Sequence, residues 1–107
     1  MTKLDTIKAL LEDGSDDKKS TSEFWKVGSS YIVRTVTMIY VGKLKALNAT
    51  ELLLKDCAWI PETSRWNEFV NGKDPNEMEP YKNDVIISRG ALLDATVYDG
   101  EFNIKVI

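Results

Sequence analysis

The chain has 107 residues, 43% of them hydrophobic and 29% charged, with a net charge of −3. That is enough for one domain burying roughly 60–70% of its extended-chain surface, and it offers no general basic field for sequence-blind binding of duplex nucleic acid. A single cysteine excludes an internal disulfide, and the absence of histidine removes the commonest general base, metal ligand and pH switch.

Residues 1–14 carry a helical pattern. Leu4, Ile7, Leu10 and Leu11 recur on one face, Thr2 and Asp5 have the spacing of an N-terminal cap, and Gly14 ends the run. The segment alternates charge with leucine and lacks a signal peptide's apolar block. No stretch approaches the roughly 20 apolar residues of a membrane span, so a soluble, cytoplasmic protein without a membrane partner is expected. Residues 15–30 read as a solvated linker, with Phe24, Trp25 and Val27 apolar enough to touch a core and Gly28 turning the chain onward.

Residues 31–60 hold the first strands. From Met38 to Ala46 one parity carries Met38, Tyr40, Gly42, Leu44 and Ala46 and the other carries Lys43 and Lys45. That alternation predicts one buried and one wet face. Gly42 inside such a strand predicts a sharp bend or a close backbone approach, and hence a barrel more than a flat sheet. Asn48-Ala49-Thr50 breaks the pattern, and Glu51 to Ile60 resumes it, which predicts a hairpin.

Residues 61–83 hold all three prolines and read as a variable insertion loop. Within it a short helix is predicted, capped by Thr63 or Ser64, displaying Trp66, Phe69 and Val70 at helical spacing and ended by Asn71-Gly72. The tract from Lys73 to Asn83 is polar and reads as mobile. Residues 84–107 return to strand: two apolar runs flank Gly90, and Asp99-Gly100 is a hairpin signal before Phe102, Ile104 and Val106 on alternate positions.

Few residues carry chemistry. Cys57 lies in an apolar run with no histidine to activate it, so a buried structural thiol is expected. The carboxylates Asp56, Glu62, Glu68, Asp74, Glu77, Glu79 and Asp84 are scattered through loops without the spacing of an acid/base pair, and no phosphate-loop, dinucleotide or zinc pattern occurs. The expectation is a non-enzyme with no cofactor and no metal. Trp59, Arg65, Trp66 and Phe69 interleave aromatics with a cation, which suits either base stacking or a helix covering a core. Arg89-Gly90 places a guanidinium at a tight turn, where it can hold an anion or bond its own backbone.

The order of these features resembles the Sm-like family of Sm, LSm and Hfq proteins: an N-terminal helix, Tyr40-Val41-Gly42-Lys43-Leu44, a polar turn, Leu53-Leu54-Lys55-Asp56-Cys57, a variable interval, then Val85-Ile86-Ile87-Ser88-Arg89-Gly90. The stretch from Trp25 to Trp66 is also similar to small phage proteins, which would place the chain in a host cytoplasm. The family resemblance implies a mainly β fold, with an N-terminal α-helix followed by a strongly bent, five-stranded antiparallel open barrel of the SH3-like kind. It further implies a homo-oligomeric ring of five to seven protomers, closed by pairing of the last two strands between neighbours. Single-stranded RNA would bind at the turns lining the pore, through Asn48, Thr50, Ser88, Arg89 and Gly90, with Trp59, Arg65 and Trp66 a secondary surface. Asn48 stands where the family has Asp, the family's following Asn is replaced in Glu51-Leu52, and no aromatic occupies Ala49 or Thr50. The alternative is a ring serving protein interaction or a phage-associated structural role without RNA.

Overall fold

The computed structural model describes residues 24–98 and 103–107. The expected helix over 1–14 and most of the linker lie outside the described residues, as does the expected Asp99-Gly100 hairpin with Phe102. Six antiparallel strands run β1 (Ser30–Thr35), β2 (Ile39–Leu47), β3 (Glu51–Glu62), β4 (Glu77–Pro80), β5 (Val85–Ser88) and β6 (Leu92–Tyr98). A five-residue helix, α1 (Trp66–Val70), sits between β3 and β4, and a 3-10 turn, Arg89–Ala91, joins β5 to β6. No helix among the described residues is long and apolar enough to cross a membrane.

The strand order is β4-β3-β2-β1-β6, with β5 on the other half of β3. The long β3 therefore serves two neighbours: Glu51 to Leu54 pair with β5, and Ala58 to Glu62 pair with β4. Two register shifts in the β2–β3 ladder bend the sheet, one between Val41 and Lys43 and one between Leu44 and Ala46. The first is built from Gly42 and Asp56. Asp56 adopts φ 47, and a Cβ on Gly42 would lie 3.1 Å from the Leu54 Cβ and 3.2 Å from the Cys57 Cβ. The predicted close approach at Gly42 is thus observed: an extra residue on β3 bulges toward β2, and only a missing side chain leaves room for it. The second shift corrects the predicted parity. Leu47, not Ala46, packs on the core, because the bulge at Lys45 turns Ala46 outward.

The expectation of one wet face is also corrected. A first core on the inner face gathers Tyr31, Val33, Leu44, Leu52, Leu54, Cys57 and Ile87, with Trp25, Tyr40 and Leu92 packed against it. A second core on the outer face gathers Ile32, Val41, Ala58, Ile60, Phe69, Met78 and Tyr98. Adjacent residues of β1 and β3 thus enter different cores, so these parts of the sheet are covered on both sides. The outer cover comes from the segment read as an insertion loop: α1 contributes Phe69 and β4 contributes Met78, both with 0% exposure. Lys73 to Asn83 is accordingly not one irregular stretch. Its strand β4 pairs Pro80 with Ala58, Glu79 with Trp59 and Glu77 with Glu62, and its one buried side chain, Met78, points inward.

The helix begins at Arg65 with no side-chain cap, not at a capping Thr63 or Ser64; the Thr63 hydroxyl instead donates to the Ser64 carbonyl at 2.9 Å. It ends at Asn71-Gly72 as predicted, Gly72 taking φ 107 and donating to the Phe69 carbonyl. Residues 103–107 form no regular strand. They are tied down by a reciprocal pair of bonds between Met78 and Ile107, each N–H donating to the other's carbonyl at 3.0 Å, while Ile104 packs on the second core and Val106 stays exposed.

Candidate functional site

The two turns singled out in the sequence meet. At the β2–β3 hairpin, Asn48 Oδ1 accepts from the Thr50 and Glu51 N–H groups, both at 2.8 Å, and from the Thr50 hydroxyl at 3.2 Å. Asn is suited here because its side-chain amide oxygen imitates a backbone carbonyl across a turn. β5 continues the ladder beside it, Glu51 opposite Ser88, so the next residue arrives at the hairpin tip. There the Arg89 N–H donates to the Thr50 carbonyl at 2.8 Å and Arg89 Nη1 donates to the Asn48 carbonyl at 2.6 Å. Ser88 caps the 3-10 turn, its hydroxyl accepting from the Gly90 N–H at 3.2 Å.

Asn48, Thr50, Ser88, Arg89 and Gly90 therefore form one constellation. The guanidinium, with its planar set of donors, clamps one turn to the other. An apolar depression of about 220 Å³ adjoins it, lined by Ala46, Leu47, Leu52, Leu53 and Ile86 with Asn48 and Glu51 at its polar end. No aromatic side chain lines that depression.

The secondary surface is not assembled. Alternation along β3 puts Trp59 on the face opposite Ile60, while Trp66 lies beside Phe69 over the outer core. Arg65 is the residue preceding α1, its carbonyl accepting from the Phe69 N–H at 3.0 Å. What each tryptophan meets was not visible in the sequence. Trp59 is the cross-strand partner of Tyr40, whose ring lies 6.2 Å from that of Tyr81. Burial raises the Tyr40 hydroxyl above its ordinary pKa, with Tyr81 adding to the effect. Trp66 carries the Arg34 guanidinium 5.1 Å above its ring, a cation–π contact, and Arg34 in turn chelates Asp94 with two of its nitrogens. The hydrogen bond and charge of Asp94 hold the Arg34 pKa up, and Arg34 holds the Asp94 carboxyl below its usual range. The signal that would have found this trio is the β1–β6 register, which sets Arg34 opposite Asp94.

Cys57 is fully enclosed in the first core, and its burial pushes the thiol from 9.0 up to about 12, which keeps it protonated and unreactive near neutral pH. No group of three or more Cys, Asp or Glu side chains among the described residues is arranged to hold a metal ion. No family model matches this chain, and no curated protein and no solved structure matches it either.

Proposed function

We propose that this chain is an Sm-like protein that closes into a homo-oligomeric ring through its sheet edges and presents the paired turns to single-stranded RNA. The observation that carries the reading is the joint between β5 and β6. These strands lie at opposite ends of the path β5-β3-β2-β1-β6, yet only Arg89, Gly90 and Ala91 separate them. A three-residue link between the two ends supports a sheet curled toward an open barrel, with β5 and β6 each having one edge unpaired among the described residues. Edges of this kind are liabilities that cyclic pairing between copies removes. β6 supports such pairing with exposed Leu93 and Val97.

In that ring the Asn48–Glu51 and Ser88–Gly90 turns of every protomer face the same opening, so a weak single site is multiplied by the number of copies. Arg89 supplies the positive charge at the turns and Glu51 opposes it, so affinity is modest and falls steeply with salt. A second reading, a ring that binds protein and no RNA, is favoured by three features. The Arg89 guanidinium is engaged by the Asn48 carbonyl, the turns lack an aromatic on which a base could stack, and the chain's net charge is −3.

Native mass measurement combined with retention of labelled oligo-U and oligo-A across a salt series tests both parts. Arg89→Ala abolishes retention and leaves the assembly mass unchanged. A single-chain mass for wild type overturns the ring, and wild type that ignores every oligonucleotide at low salt leaves the protein-binding ring in its place.

A further inference from the structure

No described residue covers the outer face of the half-sheet formed by β2, the start of β3 and β5, and its side chains are ordered by type. Alternation about the buried Leu52, Leu54 and Ile87 sends Glu51, Leu53, Lys55, Ile86 and Ser88 outward. The cross-strand register then sorts them into three rows. Ala46, Leu53 and Ile86 form an apolar middle row, with Ile86 65% exposed. On one side lies Glu51, paired with Ser88. On the other, Lys43 stands directly opposite Lys55, and Lys45 reaches Asp84 at 2.8 Å. The depression of about 220 Å³ already described opens along the apolar row.

Two features of this face are unfavourable for the isolated chain. Like charges directly opposite one another in a ladder destabilise it, and Lys43 and Lys55 have no ion-pair or hydrogen-bond partner for their ammonium groups among the described residues. An exposed apolar row rimmed by charge is the ordinary composition of a contact surface. The Glu51 carboxylate is likewise without a partner among the described residues.

Both are resolved by one operation. Along β3 the outward residues read Glu51, Leu53, Lys55: acid, apolar, base, evenly spaced about Leu53. A two-fold axis parallel to the sheet, running above Leu53 along the Ala46–Leu53–Ile86 row and so across β3, lays a second copy face to face. It sets each Glu51 against the partner's Lys55 and Lys43, and each apolar row against itself. We infer that this face is an isologous interface with a second copy of the chain. The contact uses a sheet face and closes as a pair, whereas edge pairing is heterologous and builds a ring, so it does not rest on the ring reading. If rings form, they stack in twos through it.

The symmetry makes the test sharp. Glu51→Lys sets lysine against lysine across the axis, and Lys55→Glu sets glutamate against glutamate. Each single variant therefore has half the native mass of wild type by light scattering at low salt. An equimolar mixture of the two variants regains the wild-type mass, because every cross-axis pair in the mixed assembly is again opposite in sign. Far-UV circular dichroism and the thermal midpoint check folding: Lys55→Glu also removes the Lys43–Lys55 repulsion, so its protomer melts no lower than wild type at concentrations where both are dissociated. Variants that keep the wild-type mass overturn the inference and leave the face to a different partner. Variants that lose half the mass but fail to regain it on mixing overturn the two-fold arrangement.

Discussion

The two halves of β3 obey different rules. From Glu51 to Lys55 inward and outward residues alternate, and the outward ones meet solvent. From Cys57 to Ile60 the strand is covered on both faces, Cys57 in the first core and Ala58 and Ile60 in the second. The switch falls at Asp56 in its left-handed conformation, opposite Gly42. The difference teaches that the bend is also a change of layer: beyond it α1, β4 and the residues around Ile104 turn a one-sided sheet into the middle of a sandwich.

The most damaging way to break that contrast is Phe69→Ala. Phe69 has 0% exposure and is the helix's only fully buried side chain, so its removal opens a cavity in the outer core and costs about 3–5 kcal/mol. The matched change on the one-sided half, Ile86→Ala, removes a side chain that is 65% exposed and shifts the protomer's stability by less than about 0.5 kcal/mol. Denaturant midpoints measured at dissociating concentrations decide between them. Similar losses for the two would mean that α1 covers nothing essential.

The one-sided half was legible in the sequence, and the two-sided half was not. The Asn48 turn, the close approach at Gly42 and the joint at Arg89-Gly90 each follow from a local preference, so spacing alone located them. The pairing of the two turns needed only the order of the strands. By contrast, Tyr31, Ile32 and Val33 are buried alternately in the two cores, whereas the sequence reading expects one wet face, because nothing local to β1 indicates what covers its second side. The cover, α1 and β4, lies in a polar tract whose inward side chains are few. Met78 in β4 is flanked by Glu77 and Glu79, and the pairing of β4 with β3 skips residues through a register shift, so neither periodicity nor composition marked it as a strand. Arg34 and Asp94 were missed for a related reason: they are distant in sequence and meet only through the β1–β6 register.

A smaller effect sharpens the boundary between the halves. Gly42→Val puts a branched side chain where even a Cβ is within 3.3 Å of the Cys57 backbone, and overpacking of this kind costs about 1–3 kcal/mol. Lys43→Val, one residue along, points outward and removes the like-charge pair with Lys55, so stability holds or rises slightly although the substituted residue is the same. Equal denaturant midpoints for the two variants would show that β2 is neither bent at Gly42 nor in this register.

The smallest effect concerns the edge of the two-sided half, where Arg34 links β1, β6 and α1 through Asp94 and Trp66. Both charged groups are well exposed, so Asp94→Asn lowers the thermal midpoint only slightly, and added salt narrows the gap from wild type. The pH dependence has a definite sign. Arg34 lowers the Asp94 pKa in the folded state below the ordinary 3.8, so the folded protein holds this proton less tightly than the unfolded chain does. The contribution is therefore fully present above the ordinary carboxylate range and fades as pH falls through the folded value. The gap between wild type and Asp94→Asn stays constant from neutral pH down to the ordinary carboxylate range and closes below it. A gap that instead persists at the lowest pH would assign the role of Asp94 to packing beside Trp66 and not to its charge.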